Sequence, residues 1–346
     1  MSDFTSLTSL GWQAFFQQQL ALDEWDITIP ARVIEQHKSE IHLATETGKL
    51  ILALSHNMPD MVVGDWLLLD QEGHFFRLLE RKSCFSRKAA GSKVQKQLIS
   101  ANVDTAFIVC SMNEDFNLNR IERFLSLVNE SAAEAIVILS KSDQTESAQD
   151  FINSVQAIDP FLMVEAINCL DTNSIKQLSP WLKRGRTIAV LGSSGVGKST
   201  LTNTLLGESI QSTDGIREDD SKGRHTTTRR SLIELKEGAL ILDTPGMREI
   251  QLADCKEGIE STFADIKALA ELCRFSDCQH QSEPGCAIQK ALDAEELDLR
   301  RLGNYQKLLK EDALNSANLA ERRAKDKALG KFYKTTLAQA AIIKGR

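Results

Sequence analysis

No stretch of the 346 residues approaches eighteen uncharged apolar positions, the length a bilayer-crossing helix requires. The N-terminal MSDFTSLTSLGW lacks the basic-then-apolar order of a secretory signal, so a soluble, unexported, cytoplasmic protein without a membrane partner is expected. Basic excess is missing as well. Lys and Arg number 41 against 48 Asp and Glu, a formal charge of -7, which excludes a protein that coats nucleic acid indiscriminately and confines any RNA contact to patches. The seven cysteines are an odd number: Cys84, Cys110, Cys169 and Cys255 are scattered, and three crowd between Cys273 and Cys286. That usage fits a reducing compartment and a metal better than a disulfide framework. What is present is ample apolar content, 42%, in a chain long enough for two or three domains.

Five short apolar runs, ARVIEQ, EIHLAT, KLILAL, DWLLLD and HFFRLLER, follow an N-terminal extension (residues 1–30) and are separated by polar breaks such as SHNMPD and QEGH. Five strands in residues 31–86 suit an OB-type β-barrel, with another small β-fold such as an SH3-like barrel as the alternative. LGWQAFFQQQL before them reads as a short amphipathic helix. Residues 87–98, basic and aperiodic, read as a linker. From 99 to 252, strand-like runs (DTAFIVCS, EAIVILS, FLMVEA, RTIAVLG, SLIELK, ALILDTPG) alternate with helical stretches such as NLNRIERFLSLVNES, the order of a parallel α/β sheet. Residues 253–346 turn mainly helical around the cysteine cluster. Leu302, Tyr305, Leu308 and Leu309 mark the apolar face of a late helix, and the basic tail that ends the chain is either a solvated face or an RNA contact.

Gly192-Ser193-Ser194-Gly195-Val196-Gly197-Lys198-Ser199 follows the strand RTIAVL and opens the helix KSTLTNTLL, the context of a phosphate-binding loop. Its backbone amides, with Thr200 beyond, would close around a β-phosphate, Lys198 would bridge the β- and γ-phosphates, and the Ser199 hydroxyl would ligate Mg²⁺. Downstream, ALILDTPG ends a strand with Asp243 able to reach the Mg²⁺ shell and the Gly246 amide able to face the γ-phosphate. Between them GRHTTTRR offers Thr226, Thr227 and Thr228, of which Thr227 is taken as the switch-loop ligand to Mg²⁺. Guanine selection needs a carboxylate that accepts two hydrogen bonds. Ser140-Lys141-Ser142-Asp143, after the strand EAIVILS, supplies it in Asp143, with the Lys141 stem over the base. Ser140 stands where Asn is usual, which predicts a weaker tie between base loop and phosphate loop. Glu165-Ala166 is the candidate second base-contacting segment, although a Ser-Ala pair is the expected form.

The base loop thus precedes the phosphate loop, which requires a circularly permuted P-loop α/β domain. A parallel sheet tolerates such a reopening at a surface loop. In this order the switch loops lead straight into the C-terminal module. There Cys273, Cys278, His280 and Cys286 form C-x4-C-x-H-x5-C, a closed set of four ligands for one structural Zn²⁺. Free core cysteines beside an incidental His are the alternative.

The permuted order, GSSGVGKS, GRHTTT, DTPG, CRFSDCQHQSEPGC, VGDW in the barrel, and ANVDTAFIV with DFNLNRIER together resemble the ribosome small subunit-dependent GTPase A family over nearly the whole chain. The resemblance implies an OB barrel, a permuted GTPase and a zinc domain acting late in small-subunit maturation. It implies slow intrinsic hydrolysis that rises on the subunit. The partners implied are the small ribosomal subunit with its rRNA and other small-subunit assembly factors, met by a monomer. Met247 follows DTPG where many GTPases carry a water-orienting Gln, and the resemblance suggests His225 for that work; RNA binding or loop capping are its other readings. Three other classes compete: a stand-alone metabolic NTPase, a passive RNA-binding module with structural nucleotide, and a tRNA-directed GTPase. Nucleotide turnover without macromolecules, RNA binding indifferent to GTP or GDP, and stimulation by tRNA would respectively mark them.

Overall fold

The computed structural model describes residues 6–88, 96–207, 230–243, 252–281 and 283–316. Two single-turn helices, α1 (Ala14–Gln17) and α2 (Glu24–Ile27), lead into five antiparallel strands: β1 (Thr28–Gln36), β2 (Glu40–Thr45), β3 (Gly48–Ala53), β4 (Trp66–Asp70) and β5 (Phe75–Leu78). β1 is shared lengthwise. Its first half pairs with β4 (Ile29↔Leu69, Arg32↔Trp66) and its second half with β2 (Val33↔Leu43, Gln36↔Ile41), while β3 lies beyond β2 and β5 beyond β4. Ala31, Val33, Ile41, Leu43, Leu67 and Leu69 pack on one face. Ile34, Trp66 and Leu68 join Leu10 and Phe16 on the other. The short helical segment before these strands therefore packs on them, with Trp12 edge-on to Trp66 at 4.8 Å. β1 begins at Thr28, three residues ahead of the expected Ala31; Pro30 disguises this start, since it cannot donate a ladder hydrogen bond, yet it pairs opposite Leu68.

The segment expected as a linker over 87–98 is partly strand. β6 (Cys84–Lys88) and β7 (Lys96–Ala101) form a separate antiparallel pair with Arg87 opposite Gln97. Polar side chains at these positions, including the Arg87–Gln97 hydrogen bond of 3.1 Å, remove the alternation by which a strand is read.

The nucleotide-domain sheet is built from β8 (Thr105–Ser111), β9 (Glu134–Ser140), β10 (Met163–Ala166), β11 (Thr187–Leu191), β12 (Arg230–Glu234) and β13 (Leu240–Asp243), in the order β10-β9-β8-β11-β13-β12. Helices α3 (Leu118–Ser131), α4 (Ala148–Gln156), α5 (Thr172–Ile175) and α6 (Lys198–Leu206) supply the crossovers. All neighbours are parallel except β12, which runs antiparallel to β13. Five residues and a Leu235-to-Ala239 turn bond of 2.7 Å join the two, too short for a parallel crossover.

The sheet does not stop at β12. Its outer edge pairs antiparallel with β1 (Glu35↔Ser231, Gln36↔Arg230), so one eleven-stranded sheet runs from β10 through to the N-terminal strands β1 to β5. Arg230 reinforces the seam, its Nη1 donating to Gln36 Oε1 (3.4 Å) and to the carbonyls of Leu98 (3.2 Å) and Ile99 (3.3 Å). A second contact brings VGDW against ANVD. The Ala101 amide donates to the Val63 carbonyl at 3.0 Å and Asn102 Nδ2 to the Gly64 carbonyl at 2.9 Å. Gly64 has φ +94 and its Cα faces the Ala101 carbonyl so closely that any Cβ would overlap it, which only glycine permits. Beside it the buried Arg32 guanidinium donates to the Leu10 carbonyl and to Thr187 Oγ1 (2.8 Å), and lies 5.6 Å from the Trp66 ring.

Helices α7 (Lys256–Thr262), α8 (Ala264–Glu271), α9 (Ala287–Asp293) and α10 (Leu299–Ser316) follow. They dock on α3. Gly258 lets α7 approach so closely that a side chain there would collide with the Ser126 carbonyl. Glu122 of α3, fully buried, accepts from Arg300 (2.9 and 3.1 Å), Arg301 (2.9 Å) and Asn304 (2.5 Å) of α10. Arg301 also forks onto Asp265 (2.8 and 2.7 Å) and stacks 4.7 Å from the Phe263 ring. The C-terminal helices thus rest on α3 directly, beyond whatever tether joins them to β13. Leu302 and Leu308 of the late helix are buried and Tyr305 and Leu309 pack beside them, the face expected for it. The basic tail (317–346) lies outside the described residues.

Candidate functional site

β11 carries a mostly buried, mainly apolar run to Leu191 and then breaks at Gly192; Gly192, Gly195 and Gly197 all have positive φ and turn the chain into α6. Ser193 to Val196 form the loop, and Lys198 to Thr200 the first turn of the helix, whose amide end favours an anion. Lys198 is buried and its ammonium donates to the Ser193 carbonyl within the loop. Ser199 and Thr200 remain partly exposed beside it.

β9 ends in Ser140, fully buried, and the chain turns through Lys141 in the left-handed region (φ 61) into a short turn holding Ser142 and Asp143. The Ser140 hydroxyl donates to the Val196 carbonyl at 2.6 Å and lies 3.4 Å from that of Cys110. The turn at 140–143 and the glycine-rich loop are therefore tied together through the serine hydroxyl. Asp143 is exposed. The Ser142 amide donates to Ile167 (3.2 Å), just past Glu165 and Ala166 at the end of β10. Burial pushes the Glu165 carboxyl above its ordinary range.

Cys169 is the residue that sequence reasoning passed over as one of the scattered cysteines. Its sulfur would lie 3.8 Å from a Cβ placed on Gly197, its carbonyl accepts from Thr204 of α6 at 2.8 Å, and burial, then the Asp143 charge, push its thiol up to about 12. It sits between the two loops as a neutral packing group. The signal for it was positional, three residues beyond Ala166.

Asp243 closes β13, opposite Ser231 and one position past the pair Leu242↔Ala189, which puts its backbone at the strand end neighbouring the phosphate loop. Its side chain, and all of His225, Thr226, Thr227, Thr228, Gly246 and Met247, lie outside the described residues.

In the C-terminal module Cys273, Cys278, His280 and Cys286 converge, their ligand atoms all within 4.8 Å of one another. Cys273 Sγ and Cys286 Sγ are 3.9 Å apart and stand 3.5 and 3.6 Å from His280 Nδ1. Tetrahedral bonds of about 2.3 Å to sulfur give S–S edges of about 3.8 Å, so the donor set fits zinc. His280 adopts φ 60 and Gln289 Nε2 holds its carbonyl at 2.6 Å, which fixes the ring for the cluster.

The family model described as RsgA GTPase matches residues 78–253. Small ribosomal subunit biogenesis GTPase RsgA 2 of Vibrio vulnificus is 57% identical over 329 residues, covering 95% of this chain and 94% of its own length. The protein of the same description from Vibrio parahaemolyticus is 55% identical over 98% of this chain and 94% of its own length. Small ribosomal subunit biogenesis GTPase RsgA of Xanthomonas euvesicatoria is 42% identical over 94% of this chain and 93% of its own length. Among solved structures, YjeQ from Thermotoga maritima matches with a TM-score of 0.61 at 23% identity, over 82% of this chain and 98% of its own. YloQ, described as a circularly permuted GTPase, matches at 0.59 and 22% identity, over 84% and 97%. The fold is that of a circularly permuted GTPase.

Proposed function

The chain belongs to the RsgA GTPase family, and from that premise we propose that it is a GTP hydrolase of small ribosomal subunit biogenesis, which binds the small subunit and leaves it in a nucleotide-dependent way. The observation that carries the nucleotide half is the Ser140–Val196 hydrogen bond, which joins a base-selecting turn to a phosphate loop encoded 56 residues later. Asp143 accepts two hydrogen bonds from the guanine edge, with Lys141 stacked on the base and Ser142, Glu165 and Ala166 bordering it. Amides from Gly192 to Thr200 hold the β-phosphate, and Lys198 leaves the Ser193 carbonyl to meet the β- and γ-phosphates. The residues that would hold Mg²⁺ are Ser199, Thr227 and Asp243. Bound with GTP, it would neutralise charge between the β- and γ-phosphates. The Gly246 amide faces the γ-phosphate and His225 orients the attacking water once the subunit orders its loop, with Met247 leaving unaided turnover slow.

The shared, bulged β1 strand supports reading residues 31–86 as an OB barrel, joined through the β6–β7 pair to the permuted domain at 99–252 and then the zinc and helical module at 253–346. The Cys₃His set supports one structural Zn²⁺, which braces that module without chemistry. Barrel, zinc module and basic tail meet rRNA beside other assembly factors, and the monomer acts in the cytoplasm. The test is hydrolysis of GTP and ATP with and without purified small subunits, with tRNA as the competing stimulant. Turnover is expected for GTP only and to rise with subunits. Lys198→Ala should abolish it, and Asp143→Asn should cost guanine preference. Equal turnover of ATP, or stimulation by tRNA alone, would defeat the reading.

A further inference from the structure

The β1–β2 hairpin reads EQHKSEIH from Glu35 to His42, and its register decides which of these side chains meet. Glu35 and His42 are cross-strand partners. His37 lies two residues past Glu35, and its amide donates to the Glu40 carbonyl at 3.0 Å to close the turn. Glu40 lies two residues before His42. With a side-chain period of two along each strand, all four project from one face of the hairpin.

On that face the two imidazoles lie 4.6 Å apart, centroid to centroid, and aim at one oxygen. His37 Nε2 and His42 Nδ1 are each 3.5 Å from Glu35 Oε2. The other nitrogen of His42 faces Glu40 Oε1 at 3.4 Å. His37 Nε2 is buried and has no hydrogen-bond partner, an arrangement that is destabilising when nothing fills it. A cation would give the orphaned nitrogen a partner and draw both rings and the Glu35 carboxylate to one point. Bonds of about 2.0–2.1 Å in tetrahedral geometry separate ligand atoms by roughly 3.3 Å, close to the distances here, and all three donor atoms lie within 4.8 Å of one another.

We propose that Glu35, His37 and His42 form a binding site for a divalent transition-metal ion of the zinc, cobalt or nickel class, distinct from the cysteine cluster, with Glu40 orienting His42 from outside. Two imidazoles and a carboxylate suit that class better than magnesium or calcium, which prefer all-oxygen sets. The side chains are 23 to 33% exposed, which leaves water the fourth position. Glu35 is also the residue opposite Ser231, so the ion sits where the barrel meets β12.

The full-length protein is loaded with one zinc per chain at the cysteine cluster and titrated with cobalt(II), read by metal content and by visible d–d absorption. A second metal per chain is expected, without the near-ultraviolet band of thiolate-bound cobalt. His37→Ala and His42→Ala should each lose it while zinc content and GTP turnover stay at the parent level, and Glu40→Gln should weaken it about 10- to 100-fold. The same cobalt uptake in His37→Ala and His42→Ala, no second metal in the parent, or a thiolate band on addition of cobalt would each overturn the proposal.

Discussion

Ser140 occupies the position where the guanine motif prefers asparagine, yet its hydroxyl reaches the Val196 carbonyl at 2.6 Å from a fully buried site. Loss of that hydroxyl leaves a backbone acceptor short of a partner between two ligand loops, a penalty of about 1 kcal/mol. Ser140→Ala should therefore weaken GTP and GDP affinity about five- to tenfold, with Ser140→Asn close to the parent; titration with a fluorescent guanine nucleotide reads this, and an unchanged dissociation constant for the alanine variant would remove the role. Asp104 is the other residue whose work is local. Burial alone would raise its carboxyl, but hydrogen bonds from Gln13 (2.9 Å) and the Thr187 amide (2.9 Å), with Lys82 at 3.1 Å, hold it below the usual range. A depressed folded-state value contributes stability that is complete above the unfolded value of about 3.9 and disappears as pH falls through the lower folded one. Thermal melting of Asp104→Asn should accordingly fall below the parent at pH 7, and the gap should begin to shrink below about pH 4 and close as pH falls through the lowered folded value. A gap that keeps its full size throughout the acid range would contradict this.

At the scale of elements, the glycine-rich loop at 192–199, the turn at 140–143 and the cysteine cluster stand out in the sequence because each lies within a few residues and carries its own spacing. The strands of the sheet were legible from apolar runs. The contacts that assemble those elements were not. Glu122 and Arg301 are 179 residues apart, Arg32 and Thr187 are 155 apart, and each alone reads as a surface charge. DFNLNRIER stood out without a reason; Asn119 and Glu122 accept from Arg300, and Arg123 donates to Glu311 (2.5 and 2.8 Å), so the motif is the seat of the C-terminal module. Because removing one partner of a buried charge network costs about 3–5 kcal/mol, Glu122→Gln should lower the melting temperature by several degrees and expose the α7–α10 segment to protease. Protection equal to the parent's would show that the apolar contacts suffice.

For the whole molecule, the consequence lies in β12. In an α/β sheet of this kind the outermost antiparallel strand would ordinarily face solvent, but here β1 occupies its free edge and the sheet continues. A fragment beginning after residue 98 would bare that row of unpaired amides and carbonyls, the arrangement that recruits neighbouring chains. Such a truncated protein should sediment as mixed oligomers, whereas the intact chain stays at one size; a monodisperse fragment would show that another segment shields the edge. β1 and β12 come from distant parts of the chain, so during translation the hairpin of residues 28–45 waits for nearly two hundred more residues before its outer neighbour exists, and until then that edge stands unpaired.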